Sequence, residues 1–425
     1  MSRPNVELSA AAICRIDTDK STARFTFAAM IPRLHLRLSV LMFLQFFLWG
    51  SWFVTTGTYL LEHLDFNGRQ VGLVYGTAAI AATVSPFMLG VLADRLFAAE
   101  RLLAGLHLTG GLLMWGMSMS EQFATFYPLV LLYMLCYMPT FGLANALSFH
   151  HLSDVKGQFP RIRVWGTVGW ILAGLLVSYL GVETEVVPLR IAAGVSALQG
   201  LYCLTLPHTP PAAAHVGKGM RNLLGPEVMA LLKDRSFLVL LLSLMLICIP
   251  SAYYYSFVNP FLVEIGETNA AGKMAIGQVT EIIFMLTLPW FFQRLRLKVI
   301  LFWGLLAWGV RYGCFALGIL PGWGWLIYLG LGLHGLAFIF SMLAAQIYLD
   351  TRVPHHLRST AQGFYSLLTL GLGALVGAYI AGETVTSFTL GDGHDWARIW
   401  QIPTWWGIIV AIAFFFLFRS KQVVK

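Results

Sequence analysis

Apolar stretches follow one another along this 425-residue chain, separated by short polar segments. They fall near residues 38–61, 70–93, 101–119, 124–148, 164–182 and 187–206, and again near 237–262, 275–293, 298–320, 323–348, 360–382 and 400–418. Each holds roughly 20 residues, enough for an α-helix to cross about 30 Å of hydrocarbon. The longest polar segment, about 208–236, contains His208, Pro210, Pro211, Lys218, Arg221, Lys233 and Arg235 and divides the spans into two sets of six. The pattern predicts an all-α polytopic membrane protein with twelve transmembrane helices in two six-helix bundles. The expected divisions are a polar N-terminal extension (1–33), a first bundle (34–207), a linker (208–236) and a second bundle (237–425). No repeat at residue level joins the halves; the symmetry rests on hydropathy alone.

Charge placement fixes the expected orientation. All but five of the 28 Lys and Arg fall in segments assigned to one side, which includes both termini and the linker. Arg69, Arg190, Lys273 and Arg398 fall opposite, and Arg311 lies inside a span. The 20 acids show no such bias. Cationic residues near span ends stay in the cytoplasm, so both termini are expected there. Composition agrees: 58% hydrophobic residues, 11% charged and a mean hydropathy of +0.72 exclude a soluble domain of this length. The basic balance (pI about 9.3) suits short loops facing anionic lipid, without a nucleic-acid partner. Cys14, Cys136, Cys203, Cys248 and Cys314 lack pairing or metal-ligand spacing and read as packing residues. Residues 1–30 have no signal-peptide core, and Met30 is a second candidate start.

The loop after the second span reads Gly90-Val91-Leu92-Ala93-Asp94-Arg95. Its Gly permits close helix contact, and its Asp and Arg can latch neighbouring helix ends. The plain alternative is an ordinary charged loop end. In position and spelling it resembles the G-x-L-A-D-R motif of major facilitator transporters. The six-plus-six layout fits that superfamily, whose halves rock about a central cavity with substrate near the midplane.

Three side chains of span 5, Arg163, Thr167 and Trp170, are spaced i, i+4, i+7 and so share one helical face. They offer a guanidinium fork, a hydroxyl and a flat aromatic surface. Such a set suits a nucleoside, which needs donors at its ribose and stacking at its base. Gln45, Trp49 and Trp52 repeat the spacing in span 1. The alternatives are a positive-inside arginine at a helix start and tryptophans that pack against lipid or other helices.

Glu281 stands near the middle of a span, where inserting a charge costs at least about 2.5 kcal/mol. It lies one turn after Gln278, so both can face one cavity. Two roles are open to it: a proton site, or a hydrogen-bond partner for a ribose. A structural ion pair with Arg311 is the third alternative.

Longer strings resemble the bacterial nucleoside:proton symporter family. They include Phe43-Leu44-Gln45-Phe46-Phe47-Leu48-Trp49-Gly50-Ser51-Trp52, Tyr137-Met138-Pro139-Thr140 and Phe159-Pro160-Arg161-Ile162-Arg163-Val164-Trp165-Gly166. Thr205-Leu206-Pro207-His208, Gln278-Val279-Thr280-Glu281 and Ala361-Gln362-Gly363 extend the resemblance from about residue 34 to the C-terminus. It implies a substrate cavity lined by Arg163, Thr167, Trp170, Tyr255, Gln278, Glu281 and Phe338, with Gly90, Asp94 and Arg95 as a conformational latch. The chain also departs from the pattern. An aspartate that relatives carry after the span 10 aromatic is matched here by Ile339, following Phe338. Two span 7 amides of the best-known members align with Ala252 and Tyr255. His334, one turn before Phe338, is either a replacement titrating group or a packed, neutral histidine.

These features lead to the expectation of a monomeric secondary transporter in the bacterial inner membrane, importing nucleosides by alternating access with a proton carried on Glu281. It needs no cofactor and no metal. An uncoupled nucleoside facilitator is the first alternative, because Ile339 replaces an acid. A carrier for a sugar or another small polar solute is the second, and a receptor that kept the fold is the third. An enzyme is excluded by the lack of a nucleophile elbow, a P-loop or a metal-spaced His/Cys set.

Overall fold

A computed structural model describes residues 20–95, 97–211, 232–353, 357–391 and 393–419, with side chains described from residue 33 and not over 87–95. The first half comprises α1 (Lys20–Trp52), α2 (Gly68–Arg95), α3 (Ala99–Met117), α4 (Phe123–His151), α5 (Val155–Leu180) and α6 (Val187–Cys203). The second comprises α7 (Arg235–Glu264), α8 (Ala270–Arg294), α9 (Leu297–Gly318), α10 (Trp325–Phe338), α11 (Arg358–Ser366) and α12 (Trp396–Leu417). Beyond Trp52, α1 is prolonged by Thr56–Thr58 and a π-helical turn, Tyr59–His63. Helix α10 passes through a π segment, Ile339–Leu343, before Ala344–Arg352. Helix α11 does the same at Leu367–Gly373 before Ala374–Ser387. Among the described residues, nine helices are long and apolar enough to cross a membrane unaided. The expected extension 1–33 and linker 208–236 lie largely outside the described residues.

Helix starts differ from hydropathy where a polar cap acts. Asp154 accepts from Gly157 N at 3.1 Å, so α5 begins at Val155 rather than near 164. Asp395 accepts from Arg398 N at 3.1 Å and starts α12 at Trp396 rather than near 400. The caps nucleate polar first turns that a hydropathy window cannot see. Gly181, at φ 67°, ends α5 in the left-handed conformation glycine tolerates best.

Within the first half α1 packs on α5, α2 on α4, and α3 on α4 and α6; within the second, α9 packs on α10 and α12, and α7 on α11 and α12. Two seams join the halves: α2 against α11, and α5 against α8. Gly68, Gly72 and Gly76 line the first seam, where a Cβ on Gly72 would fall 2.4 Å from Ala378 O. Small residues allow such close helix approach in membranes.

All hydrogen bonds and ion pairs between the halves, among the described residues, lie at one end. Arg69 pairs with Glu383 at 2.5 Å, and its N–H donates to Thr386 at 2.7 Å. Thr58 donates to Asn259 at 2.5 Å. A short antiparallel pair, β1 (Thr389–Leu390) and β2 (Gly393–His394), caps this end and is tied to α7 by Glu264. The halves are sealed here and, among the described residues, unbridged by polar contacts at the other end.

Candidate substrate and proton site

Helix α5 meets α1 through glycines. A Cβ on Gly169 would lie 2.4 Å from Phe43 O, and one on Gly50 2.9 Å from Trp170 O. This approach leaves Arg163, Thr167 and Trp170 part-buried on α5 beside the aromatic face of α1. The Arg163 guanidinium lies 3.9 Å from the Phe46 ring centroid, a cation–π contact that holds it in place. Trp170 stands edge-on to Trp49 at 5.7 Å.

Helices α8 and α10 cross even more closely. A Cβ on Gly335 would come within 2.2 Å of the Thr280 backbone, and one on Gly277 within 3.1 Å of His334 Cβ. The crossing sets Glu281 Oε2 3.9 Å from His334 Nε2. The Glu281 side chain is 32% exposed, whereas His334 is buried. The ion pair between Glu281 and Arg311 considered from sequence is corrected: Arg311 Nη1 contacts His334 Nδ1 at 2.8 Å, and the imidazole stands between the two charges. Phe338 lies near-parallel to His334 with ring centroids 6.0 Å apart, which brings it to the same cluster.

Tyr255 and Gln278 line a cleft with Val54, Trp170, Ala271 and Met274; its empty space, open mouth included, is about 330 Å³. Of the three consecutive span 7 tyrosines, Tyr253 turns away to hydrogen-bond Thr384 on α11 at 2.7 Å. Tyr254 stacks on His334 at 4.6 Å while also lining the cleft, and Tyr255 is the part-buried ring there beside Trp170. Of the expected residues, Trp170, Tyr255 and Gln278 line this cleft; Glu281 lies beside His334, on which Phe338 stacks, and Arg163 and Thr167 share the α5 face of Trp170. Gly90, Asp94 and Arg95 sit at the end of α2, and their side chains lie outside the described residues.

Gln45 is corrected. It is fully buried inside the first half, where its amide donates to Thr140 Oγ1 at 2.7 Å. Its carbonyl oxygen meets His107 Nε2 at 3.1 Å and Gln199 Nε2 at 2.8 Å. A buried amide needs such partners, and this network satisfies it away from the cleft.

Sequence inspection missed the seal. Glu183, between α5 and α6, accepts from the Ser178 hydroxyl, from Asn259 Nδ2 at 3.2 Å and from Ala271 N at 3.1 Å. Ser178 Oγ also accepts from Gly272 N at 2.7 Å. The available signal was Asn259 itself, a lone amide within an apolar span.

The model of the nucleoside H+ symporter family matches residues 33–423. The chain belongs to the nucleoside H+ symporter family. It is 38% identical over 406 residues to the putative nucleoside transporter YegT of Escherichia coli (strain K12), covering 91% of this chain and 94% of that protein. It is 32% identical to the nucleoside permease NupG of the same organism, covering 92% and 97%. A crystal structure of nucleoside transporter NupG superposes with a TM-score of 0.84 at 32% identity, covering 91% of this chain and all of that one. The POT family transporter PepTSo, 12% identical with a TM-score of 0.70, shares the fold alone. As a family member the protein is a multi-pass membrane transporter of the major facilitator fold, not an enzyme.

Within this symporter-family chain the local departures have structural settings. Ile339 opens the π segment of α10 and is buried, so an apolar side chain fills the position after Phe338. Ala252 packs toward Gly377 on α11, where a Cβ on that glycine would lie 3.0 Å from Ala252 Cβ. Position 252 therefore serves helix contact here.

Proposed function

We propose that the protein is a nucleoside:proton symporter of the bacterial inner membrane, importing nucleosides by alternating access as a monomer with both termini cytoplasmic. The two bundles, 34–207 and 237–425, rock about a cavity shared by α5, α7, α8 and α10. Trp170, Tyr255 and Phe338 stack on the base, while Arg163, Thr167 and Gln278 hold polar edges of the nucleoside. Glu281 carries the proton. Gly90, Asp94 and Arg95 act as the latch on the cytoplasmic face.

The observation that carries this reading is Glu281: a carboxyl within a span, part-exposed, 3.9 Å from His334 and one turn from Gln278, which lines a cleft with Trp170 of the opposite half. A carboxyl so placed is costly as an isolated charge. Its protonation state therefore depends on how near Arg163 stands, and that distance changes when the halves rock. This dependence links proton uptake to conformation without a second acid. Names of relatives, among them a xanthosine permease 33% identical to this chain, support the nucleoside class.

The test is uptake of labelled uridine and adenosine into proteoliposomes, with and without an inward proton gradient, for wild type and Glu281→Gln. Gradient-driven accumulation lost in the mutant is the expected result. Ile339 favours one rival, an uncoupled facilitator, which would equilibrate substrate and ignore both gradient and mutation. Saturable uptake blocked by free sugars rather than by nucleosides would overturn the substrate class.

A further inference from the structure

Arg311 is fully buried in the second half, far from any carboxylate contact of its own. It is wrapped by rings, with the Tyr254 centroid at 4.1 Å, Trp308 at 5.4 Å and Tyr312 at 5.6 Å. Its Nε and Nη2 have no hydrogen-bond partner among the described residues, so its directed contact is Nη1 to His334 Nδ1 at 2.8 Å. A guanidinium has donors only and stays protonated in proteins. His334 Nδ1 must therefore be the acceptor, and the imidazole proton sits on Nε2. An imidazolium would set N–H against N–H beside a fixed cation. The Nε2–H faces Glu281 Oε2 at 3.9 Å.

We infer that Arg311 is a positioning residue for proton coupling: it holds His334 in a single neutral tautomer, as a fixed donor aimed at Glu281. This rests on the reading of Glu281 as the proton site. The imidazole then bridges carboxylate and guanidinium when Glu281 is ionised, and the three groups together carry no net charge. When Glu281 takes a proton, the cation that is left is stabilised by the faces of Tyr254, Trp308 and Tyr312. A single carboxyl changes charge, and His334 does not titrate. The remaining polar groups at the site, Arg163 on α5, Tyr255 on α7 and Gln278 on α8, act on Glu281 from the cavity side. Arg311 fixes the tautomer of His334 as a hydrogen-bond partner behind a metal-bound histidine fixes the tautomer of that ring.

Two readouts on the same proteoliposomes test it: proton-driven accumulation of labelled uridine, and counterflow exchange without a gradient. His334→Phe should lower accumulation about tenfold or more, the loss expected when a charge-directed donor is removed, while exchange persists. His334→Gln should restore accumulation, because its Oε1 can accept from Arg311 while its Nε2 donates toward Glu281. Arg311→Met should lose accumulation and keep exchange. If His334→Gln is as impaired as His334→Phe, His334 titrates and the proposal fails. If Arg311→Met loses accumulation and exchange in proportion, or neither, Arg311 is structural and the proposal fails. A wild type that only equilibrates substrate, with every variant alike, overturns the coupling reading itself and this inference with it.

Discussion

Asn259 of the second half donates to the Glu183 carboxylate of the first at 3.2 Å, and the contact anchors the seal between the halves. Ala271 N, at the start of α8, donates to the same group, so the helix dipole favours its charge. This carboxylate is buried and held by donors that belong mainly to the other half, so opening that end exposes it to water. Glu183→Gln removes one acceptor and sets an amide against two donors. That substitution should weaken the seal by about 1–3 kcal/mol, a roughly 5- to 150-fold shift toward opening at this end. The measurement is the labelling rate of a cysteine placed at Val182 by a thiol reagent that cannot cross membranes. An unchanged rate would assign Glu183 to local loop structure.

Gly72 predicts a block rather than a shift. With Ala378 O only 2.4 Å from where its Cβ would stand, no side chain fits while α2 and α11 are in contact. Gly72→Leu should insert and fold, because each half keeps its own core, but the sealed state should be denied to it. Transport should fall to background, with substrate binding retained from the end left open. Transport at wild-type rate would show that this seam is not required for the cycle.

Arg163 separates substrate contact from loop charge. The guanidinium stacks on Phe46. Arg163→Ala should weaken nucleoside binding about 10-fold or more, as loss of a charged hydrogen-bonding group does, with expression unchanged. Arg163→Lys should not restore affinity, because an ammonium lacks the planar fork. Isothermal titration of the purified variants decides it. Unchanged affinity in Arg163→Ala would return the residue to the positive-inside pattern.

Gln45 makes the opposite prediction, stability without selectivity. Replacing it by Leu leaves the amide of Gln199 and the ring of His107 short of a partner in the buried core, while the Thr140 hydroxyl keeps its bond to Tyr137 O. Each unsatisfied group costs about 1–3 kcal/mol, so a marked fall in thermal midpoint is expected. The order of preference among nucleosides should stay as in wild type. A changed preference order would place Gln45 back in the cavity.

How far the chain could be read in advance depended on the kind of interaction. The spans were legible because a bilayer demands long apolar runs, and Arg163, Thr167 and Trp170 because a helix repeats its face every 3.6 residues. Glu281 stood out because an acid in a span is rare. What escaped was long-range pairing. Gln45 has the spacing of a cavity residue, but its partners lie 62 to 154 positions away, and only the packed bundle brings them together. Glu183 offered no signal because its partners, Asn259 and Ala271, belong to the other half. The alternative of a direct Arg311–Glu281 ion pair failed because an imidazole stands between them, and its place depends on the close crossing at Gly277 and Gly335.

The capping hairpin gives a pH prediction. Glu264 lies just past the apolar span of α7 and binds His394 twice, at its N–H and at Nδ1, each at 2.7 Å. Burial alone would push the Glu264 carboxyl upward, but these hydrogen bonds overcome it and hold the group below the ordinary carboxylate range. A carboxyl whose folded value is depressed contributes its stability above the unfolded value of about 4.3, and loses it as pH falls through the folded value. The tie between hairpin and α7 should therefore be intact at neutral pH and release only in acid below about 4.3. Amide exchange over 389–394, corrected for the intrinsic rate, should rise in that window. Glu264→Gln should remove the pH step, leaving the hairpin equally loose at neutral and acid pH. A step that persists in the mutant would assign the titration to another group, and the hairpin would then owe its position to Trp396 packing on Phe261 instead.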